Sequence, residues 1–112
     1  MPIQRALSYG CDKVVVILTL PKDHFCSSEE DRKAAAKMKK YLAIAELAAN
    51  YAELYNSELR RALILEQQRK VLIIAPDHRT KMKTLGKNGN KIIQLYQEGY
   101  QKASKISRFL YE

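Results

Sequence analysis

The segment Lys13-Val14-Val15-Val16-Ile17-Leu18-Thr19 decides the fold of this 112-residue chain. It is rich in β-branched residues and shows no polar alternation, so we predict a strand over 13–19 with both faces covered. A second segment of the same kind, Lys70-Val71-Leu72-Ile73-Ile74-Ala75, predicts another buried strand over 70–75. Pro21 and Pro76 follow the two segments and stop them, because proline cannot donate to a β-ladder.

The stretch between the strands predicts helices over 28–68. No glycine or proline interrupts it, and Ser27 or Ser28 can cap its start. Apolar residues recur at spacings of three and four, which predicts one long amphipathic crossover helix. The first part, Arg32 to Lys40, is more polar and is interpreted either as a separate helix or as a mobile lead-in. The members of this stripe are Ile44, Leu47, Ala48, Tyr51, Tyr55, Leu59, Ala62 and Leu63. A strand, a helical crossover and a second strand form a βαβ unit, so the two strands are expected to be parallel.

Two further helices flank this unit. Pro2 and Gly10 suit the first turn and the stop of a helix over 2–9. A C-terminal helix is predicted over 89–109, and we expect a close packing contact at Gly99 because glycine weakens a helix interior. The predicted inner face of that helix consists of Ile92, Ile93, Tyr96, Tyr100, Ala103 and Ile106.

The fold class predicted for residues 1–112 is therefore α/β, with two parallel strands, one long crossover helix and a C-terminal helix. Two strands that are apolar on both faces do not make a self-sufficient parallel sheet. Either a longer parent chain supplies further strands, or another copy of this chain does so as a homodimer.

Composition limits the function classes. The net charge is +8, and residues 70–112 contribute +6 of it, with nine basic and three acidic side chains. Such an end could meet nucleic acid or an anionic membrane, or it could simply be a solvated face. Two cysteines are too few for a disulfide framework, and no apolar run reaches the ~20 residues that cross a bilayer. We therefore expect a soluble, cytoplasmic protein, at most peripheral to a membrane.

No catalytic, metal or cofactor site is predicted. The G-x-S-x-G, P-loop and dinucleotide motifs are absent from the sequence. The segment Gly86-Lys87-Asn88-Gly89 could bind an anion but is interpreted as a loop and helix cap. His78 is interpreted as a solvent-facing loop residue, and the cysteines and histidines do not have zinc-ligand spacing. Six tyrosines at helical spacing could stack bases but are interpreted as core residues: Tyr41, Tyr51, Tyr55, Tyr96, Tyr100 and Tyr111.

The order of several short segments resembles the C-terminal part of bacterial patatin-like phospholipases. The segments are Met1 to Leu7, Gly10-Cys11-Asp12-Lys13, Val14 to Lys22, Tyr55-Asn56, Val71 to Pro76 and Leu95 to Tyr100. In that family a proline-containing helix, a G-x-D-K segment and a VVLT-x-P strand follow the catalytic aspartate. Each segment alone is weak, and their order over nearly the whole chain carries the resemblance.

The resemblance implies a larger three-layer fold and a serine lipid acyl hydrolase with a Ser–Asp dyad. The serine motif G-x-S-x-G and the aspartate motif D-G-[GA] match no position here, so both are expected upstream of Met1. The chain would then be a non-catalytic segment whose partners are the rest of the parent domain and, through it, a phospholipid or related ester. The alternative is an independent basic module that binds nucleic acid or another polyanion.

Overall fold

The computed structural model describes residues 1–38, 40–78 and 88–111, with Glu30 described by its backbone alone. Six helices and two strands lie within these residues. In chain order they are α1 (Ile3–Ser8), β1 (Val14–Ile17), α2 (Ser28–Lys37), α3 (Leu42–Ala49), α4 (Tyr51–Gln67), β2 (Val71–Ile74), α5 (Gly89–Ala103) and α6 (Lys105–Tyr111). The helix predicted over 2–9 corresponds to α1, and both strands are shorter than their apolar segments.

The two strands form a parallel pair, which confirms the predicted α/β class and the parallel arrangement. Val14 pairs with Val71 and Ile17 with Ile74. The ladder extends past the strands, since Val14 N–H donates to the Lys70 carbonyl (3.0 Å) and Leu18 N–H to the Ile74 carbonyl (2.8 Å). Apolar, β-branched side chains favour this pairing because they pack well on a pleated surface.

The separate first helix that the sequence allowed corresponds to α2, but the prediction of one long crossover helix after it is wrong. Three helices join the strands, and the break between α3 and α4 falls at Asn50, whose ψ of 2° leaves the helical range. Asparagine competes for backbone hydrogen bonds and is a poor helix-interior residue, so an apolar stripe can continue through it while the helix does not. The C-terminal helix is also divided: the Ser104 hydroxyl donates to the Gln101 carbonyl (2.7 Å) where α5 ends.

Only one face of the strand pair is well covered. Val16, Leu18, Val71 and Ile73 are buried, and they share one face because alternate residues of a strand point the same way. On the other face Ile17 is 74% exposed, although its pairing partner Ile74 is buried. The expectation that both faces are covered is therefore wrong for β1.

The chain divides into two compact units, and the boundary lies within α4. One unit comprises residue 1 and residues 24–61, and the other comprises residues 2–23 and 62–111. In the first unit Asn56 joins α4 to the segment before α2. Its Oδ1 accepts the Cys26 N–H (2.8 Å), and its Nδ2 donates to the Cys26 carbonyl (3.0 Å).

Two more contacts order this first unit. Asp31 on α2 accepts the Ala52 N–H at the start of α4 (2.6 Å). Ser27 caps α2 by accepting the Glu29 N–H (3.3 Å), as the sequence predicted for Ser27 or Ser28. The first turn of a helix leaves backbone N–H groups without intrahelical partners. Here the side chains of Ser27 and Asp31 accept two of them.

Replacing Asn56 is expected to destabilise the chain. Asn56→Ala removes both bonds to the part-buried Cys26 backbone and should lower the free energy of unfolding by about 1–3 kcal/mol. Asn56→Asp keeps the acceptor but sets a carboxylate oxygen against the Cys26 carbonyl, so it should destabilise the chain as well. Urea denaturation followed by circular dichroism measures both variants. Ser57→Ala, at the exposed next position, serves as the control, and an effect of Asn56→Ala no larger than the control's would contradict this role.

Candidate functional site

The candidate site lies at the carboxyl ends of the two strands. There a cleft of about 220 Å³ is lined by Ile17, Leu18, Thr19, Ile74, Ala75, Pro76, Leu95, Glu98, Gly99 and Lys102. Parallel strands direct their carboxyl ends to the same edge, and open α/β sheets commonly bind ligands there. The walls are mainly aliphatic, and the polar groups are concentrated on α5. A cleft of this size is smaller than the ~300–1,000 Å³ typical of ligand pockets.

Lys102 is the central polar group of this edge. Its ammonium donates to the Ala75 carbonyl just after β2, and it pairs with Asp77 Oδ1 (2.6 Å) and Glu98 Oε1 (3.1 Å). Glu98 Oε1 also accepts the Asp77 N–H (2.6 Å). These contacts use three donor directions of one ammonium, which is the full complement of a lysine. Lys102 therefore fastens α5 to the end of β2.

The charges of this cluster stabilise each other. The hydrogen bond from Lys102 is the main cause that lowers the pKa of Asp77 below its ordinary range. For Lys102, partial burial alone would lower the pKa, but hydrogen bonds to Asp77 and Glu98 outweigh it and raise the pKa. Both shifts favour the charged forms. The cluster is a salt-bridged anchor, and its lysine is not a neutral amine suited to nucleophilic attack.

A second lysine fastens the C-terminal helices at the opposite end of the strands. Lys13, which precedes β1, donates to the Phe109 carbonyl of α6 (2.5 Å). Its ammonium also lies 5.2 Å from the centre of the Phe109 ring, a cation–π distance. The two C-terminal helices are thus held at the two ends of the strand pair by one lysine each.

Replacing Lys102 should weaken the attachment of α5. Lys102→Met keeps the length and the packing of the stem and removes the charge, so the free energy of unfolding should fall by about 1 kcal/mol. Amide hydrogen exchange along α5 should accelerate more than exchange along α4. The exposed Lys105, three residues later, supplies the matched control Lys105→Met. Equal exchange rates in the two variants would contradict the anchoring role.

The anchor should be stable only within a window of pH. The contribution of Asp77, whose pKa is depressed, is present above the ordinary aspartate value and is lost as pH falls below about 4. The contribution of Lys102, whose pKa is raised, is present below the ordinary lysine value and is lost as pH rises above about 10.5. Exchange protection of α5 should fall at both limits. Lys102→Met should abolish both limbs, because it removes the partner of Asp77, whereas Asp77→Asn should weaken the acid limb and leave an alkaline limb from the Lys102–Glu98 pair. Unchanged limbs would contradict the assignment.

α5 is oriented opposite to the prediction. Its half-buried side carries Lys91, Leu95, Glu98 and Lys102, while Ile92, Ile93, Tyr96 and Tyr100 are exposed. The predicted inner face is therefore wrong over most of its length, because the salt-bridged cluster turns the opposite side toward the strands. A Cβ added at Gly99 would meet no atom within 4 Å, so the close packing expected there is also wrong.

The other predicted residues do not converge on a site. His78 is exposed, as predicted, and Asn88 caps α5 by accepting the Lys91 N–H (3.3 Å). Gly86 and Lys87 lie outside the described residues, as does most of the basic loop. Within the described ranges, no three His, Cys, Asp or Glu side chains come together as metal ligands. Of the six tyrosines predicted in the core, only Tyr55 is half-buried; the other five are exposed.

The first unit contains a concavity that the sequence did not indicate. A groove of about 710 Å³ along α3 and α4 is lined by Ala43, Glu46, Leu47, Asn50, Glu53, Leu54, Ser57 and Arg60. Nearby on α4, burial is the main cause that raises the pKa of Tyr55. Its hydroxyl and Glu58 Oε2 are buried and have no hydrogen-bond partner among the described residues. A phenol held neutral in this way is not an activated nucleophile.

The fold and this arrangement define a small α/β protein with an anchored C-terminal helix. The chain belongs to the family described as Domain of unknown function (DUF6363), which matches residues 41–110. That range includes α3, α4, β2, α5 and all but the last residue of α6, and with them the whole Lys102 cluster. Comparison with curated proteins and with solved structures finds no match for the chain. In the described part of the chain, no helix combines the length and the apolar character needed to cross a membrane.

Proposed function

We propose that this chain is a non-catalytic segment of a patatin-like serine lipid acyl hydrolase acting on phospholipid or related esters. In this proposal the segment completes the parallel sheet of the parent domain, within a larger three-layer fold in the cytoplasm. The nucleophilic serine and its aspartate belong to the rest of the parent. The ordered resemblance over nearly the whole chain supports the proposal.

The observation that carries the proposal is the asymmetry of the two strand edges. Glu66 accepts the Ile73 N–H (3.4 Å) and also pairs with Lys22 (3.1 Å), so a side chain covers part of the outer edge of β2. β1 has a neighbouring strand on one side only among the described residues, and its Ile17 is exposed. An apolar strand with an open edge favours the addition of another strand. The parent sheet would therefore continue from β1.

The Lys102 cluster supports a structural role for this segment. It uses its acids and its ammonium to hold α5, which leaves none of the three charges unpaired for acid–base work. The adjoining cleft is apolar and lies at the carboxyl ends of the strands, where a parent sheet would also present its catalytic loops. In the parent, the segment would support that edge of the sheet.

Polyanion binding, the alternative function, has less support from the described residues. Lys102 is committed to Asp77 and Glu98, and Lys13 to α6. Four of the nine basic residues of 70–112 lie outside the described ranges: Arg79, Lys81, Lys83 and Lys87. Salt-sensitive binding of the chain to RNA or DNA, without activity in the parent, would favour this alternative.

Hydrolase assays test the proposal directly. The full-length gene product should contain G-x-S-x-G and D-G-[GA] upstream of residue 1. It should also hydrolyse a p-nitrophenyl ester or the phospholipid of a vesicle. The 112-residue chain alone should hydrolyse neither substrate. A reading frame without both motifs, or hydrolysis by the isolated chain, would refute the proposal.

Ile17→Asp should have little effect on the isolated chain and a large effect on its parent. In the isolated chain Ile17 is exposed, so the free energy of unfolding should change by no more than about 0.5 kcal/mol. In the three-layer parent this face of the sheet would be covered, so the new carboxylate would be buried at a cost of several kcal/mol and folded, active enzyme should be reduced at least tenfold. Gln94→Asp, at an exposed position on α5, is the matched control. Full activity of the Ile17→Asp parent would contradict a parent fold that covers this face of β1.

A further inference from the structure

We propose that the outward side of α5 binds a second copy of this chain, with the two α5 helices antiparallel across a two-fold axis. We call this surface the α5 face and define it by Ile92, Ile93, Tyr96, Tyr100 and Ala103. The inference is independent of the hydrolase proposal, because it concerns a helix surface and not the sheet edge.

The α5 face is apolar and uncovered. With 3.6 residues per turn its five residues lie on one side of the helix. Ile92 and Ile93 are 48% and 55% exposed, and Tyr96 and Tyr100 are 71% and 74% exposed. The two tyrosine rings stack on each other, with centroids 6.4 Å apart. A contiguous exposed surface of this kind on a helix marks an interaction site.

The helix cannot hide this face by turning on its axis. Lys102 and Glu98 lie on the opposite side, and their side chains are only 22% and 29% exposed. A rotation that buried Tyr96 would pull Lys102 away from the Ala75 carbonyl and from Asp77. Because the anchor fixes the rotation, covering the α5 face requires another surface.

The α5 face carries no charged residue, and this favours a second copy of the chain as its partner. The three charged residues of α5 are Lys91, Glu98 and Lys102, and all of them lie on its half-buried side. Across a two-fold axis each residue near the axis meets its own copy, so a charge there would repel itself. An uncharged, amphipathic face avoids this repulsion. An anionic membrane or a nucleic acid would instead require cations on the contacting face.

Tyr96 is the residue closest to the proposed axis. It is the middle residue of α5, which runs from Gly89 to Ala103. Two antiparallel helices that cross at their centres therefore place each Tyr96 against its copy. A 15-residue helix is only ~22 Å long and offers less than the ~800 Å² per partner of a stable interface, so the dimer should be reversible.

Analytical ultracentrifugation from micromolar to millimolar concentration tests the proposal. The 112-residue chain should shift reversibly from monomer to dimer. Tyr96→Lys should raise the dissociation constant at least ~10-fold, because it places two like charges together at the axis. Gln94→Lys adds the same charge to the exposed side of α5 away from the face, and it should leave the dissociation constant unchanged. Circular dichroism shows whether each variant retains its helices.

Mixing two variants distinguishes a second copy from any other occupant. Tyr96→Lys and Tyr96→Glu should each be monomeric alone, and an equimolar mixture should form a heterodimer, because opposite charges then meet at the axis. This rescue also shows that both variants are folded. A chain that stays monomeric throughout the concentration range, or a dimer that Tyr96→Lys and Gln94→Lys weaken equally, would overturn the proposal.

Discussion

The contact between Lys102 and the end of β2 determines how α5 packs against the strands. A single ammonium is shared between a backbone carbonyl and two carboxylates, and all three belong to the junction of β2 and α5. Since a lysine offers only three donors, the arrangement specifies one rotation of α5.

Because of this constraint, the side of α5 that packs on the strands is not its apolar side. In most surface helices the apolar side makes the core contact and the charged side meets water. In α5 the charges make the contact, and the isoleucines and tyrosines face outward. The apolar side is thereby left exposed. At the strands too, a charged side chain makes the local contact: Glu66 covers part of the edge of β2. The edge of β1 remains open among the described residues.

The sequence predicted what depends on local pattern. The strands around Val14 and Val71, their parallel pairing and the cap at Ser27 follow from β-branched runs, a helical crossover and short-range hydrogen bonding. The rotation of α5 was not predictable, because periodicity identifies an apolar face without showing what covers it. The Lys102 cluster was missed for a related reason: Asp77 is 25 positions away from Lys102, and only the fold brings them together. The sequence did contain a signal for this cluster. Glu98 and Lys102 are four residues apart on a predicted helix, and Asp77 follows a predicted strand.

The register of the strand pair also affects how the chain folds during synthesis. Val14 pairs with Val71, 57 positions later in the chain. At ~5–20 residues per second, translation of that interval takes about 3–11 s, during which β2 is not available to pair with β1. Its valines and Ile17 are then exposed as an unpaired apolar segment, the kind of segment that aggregates from incompletely folded chains. The separation of the two strands therefore delays the burial of β1 against β2 until the whole interval has been made.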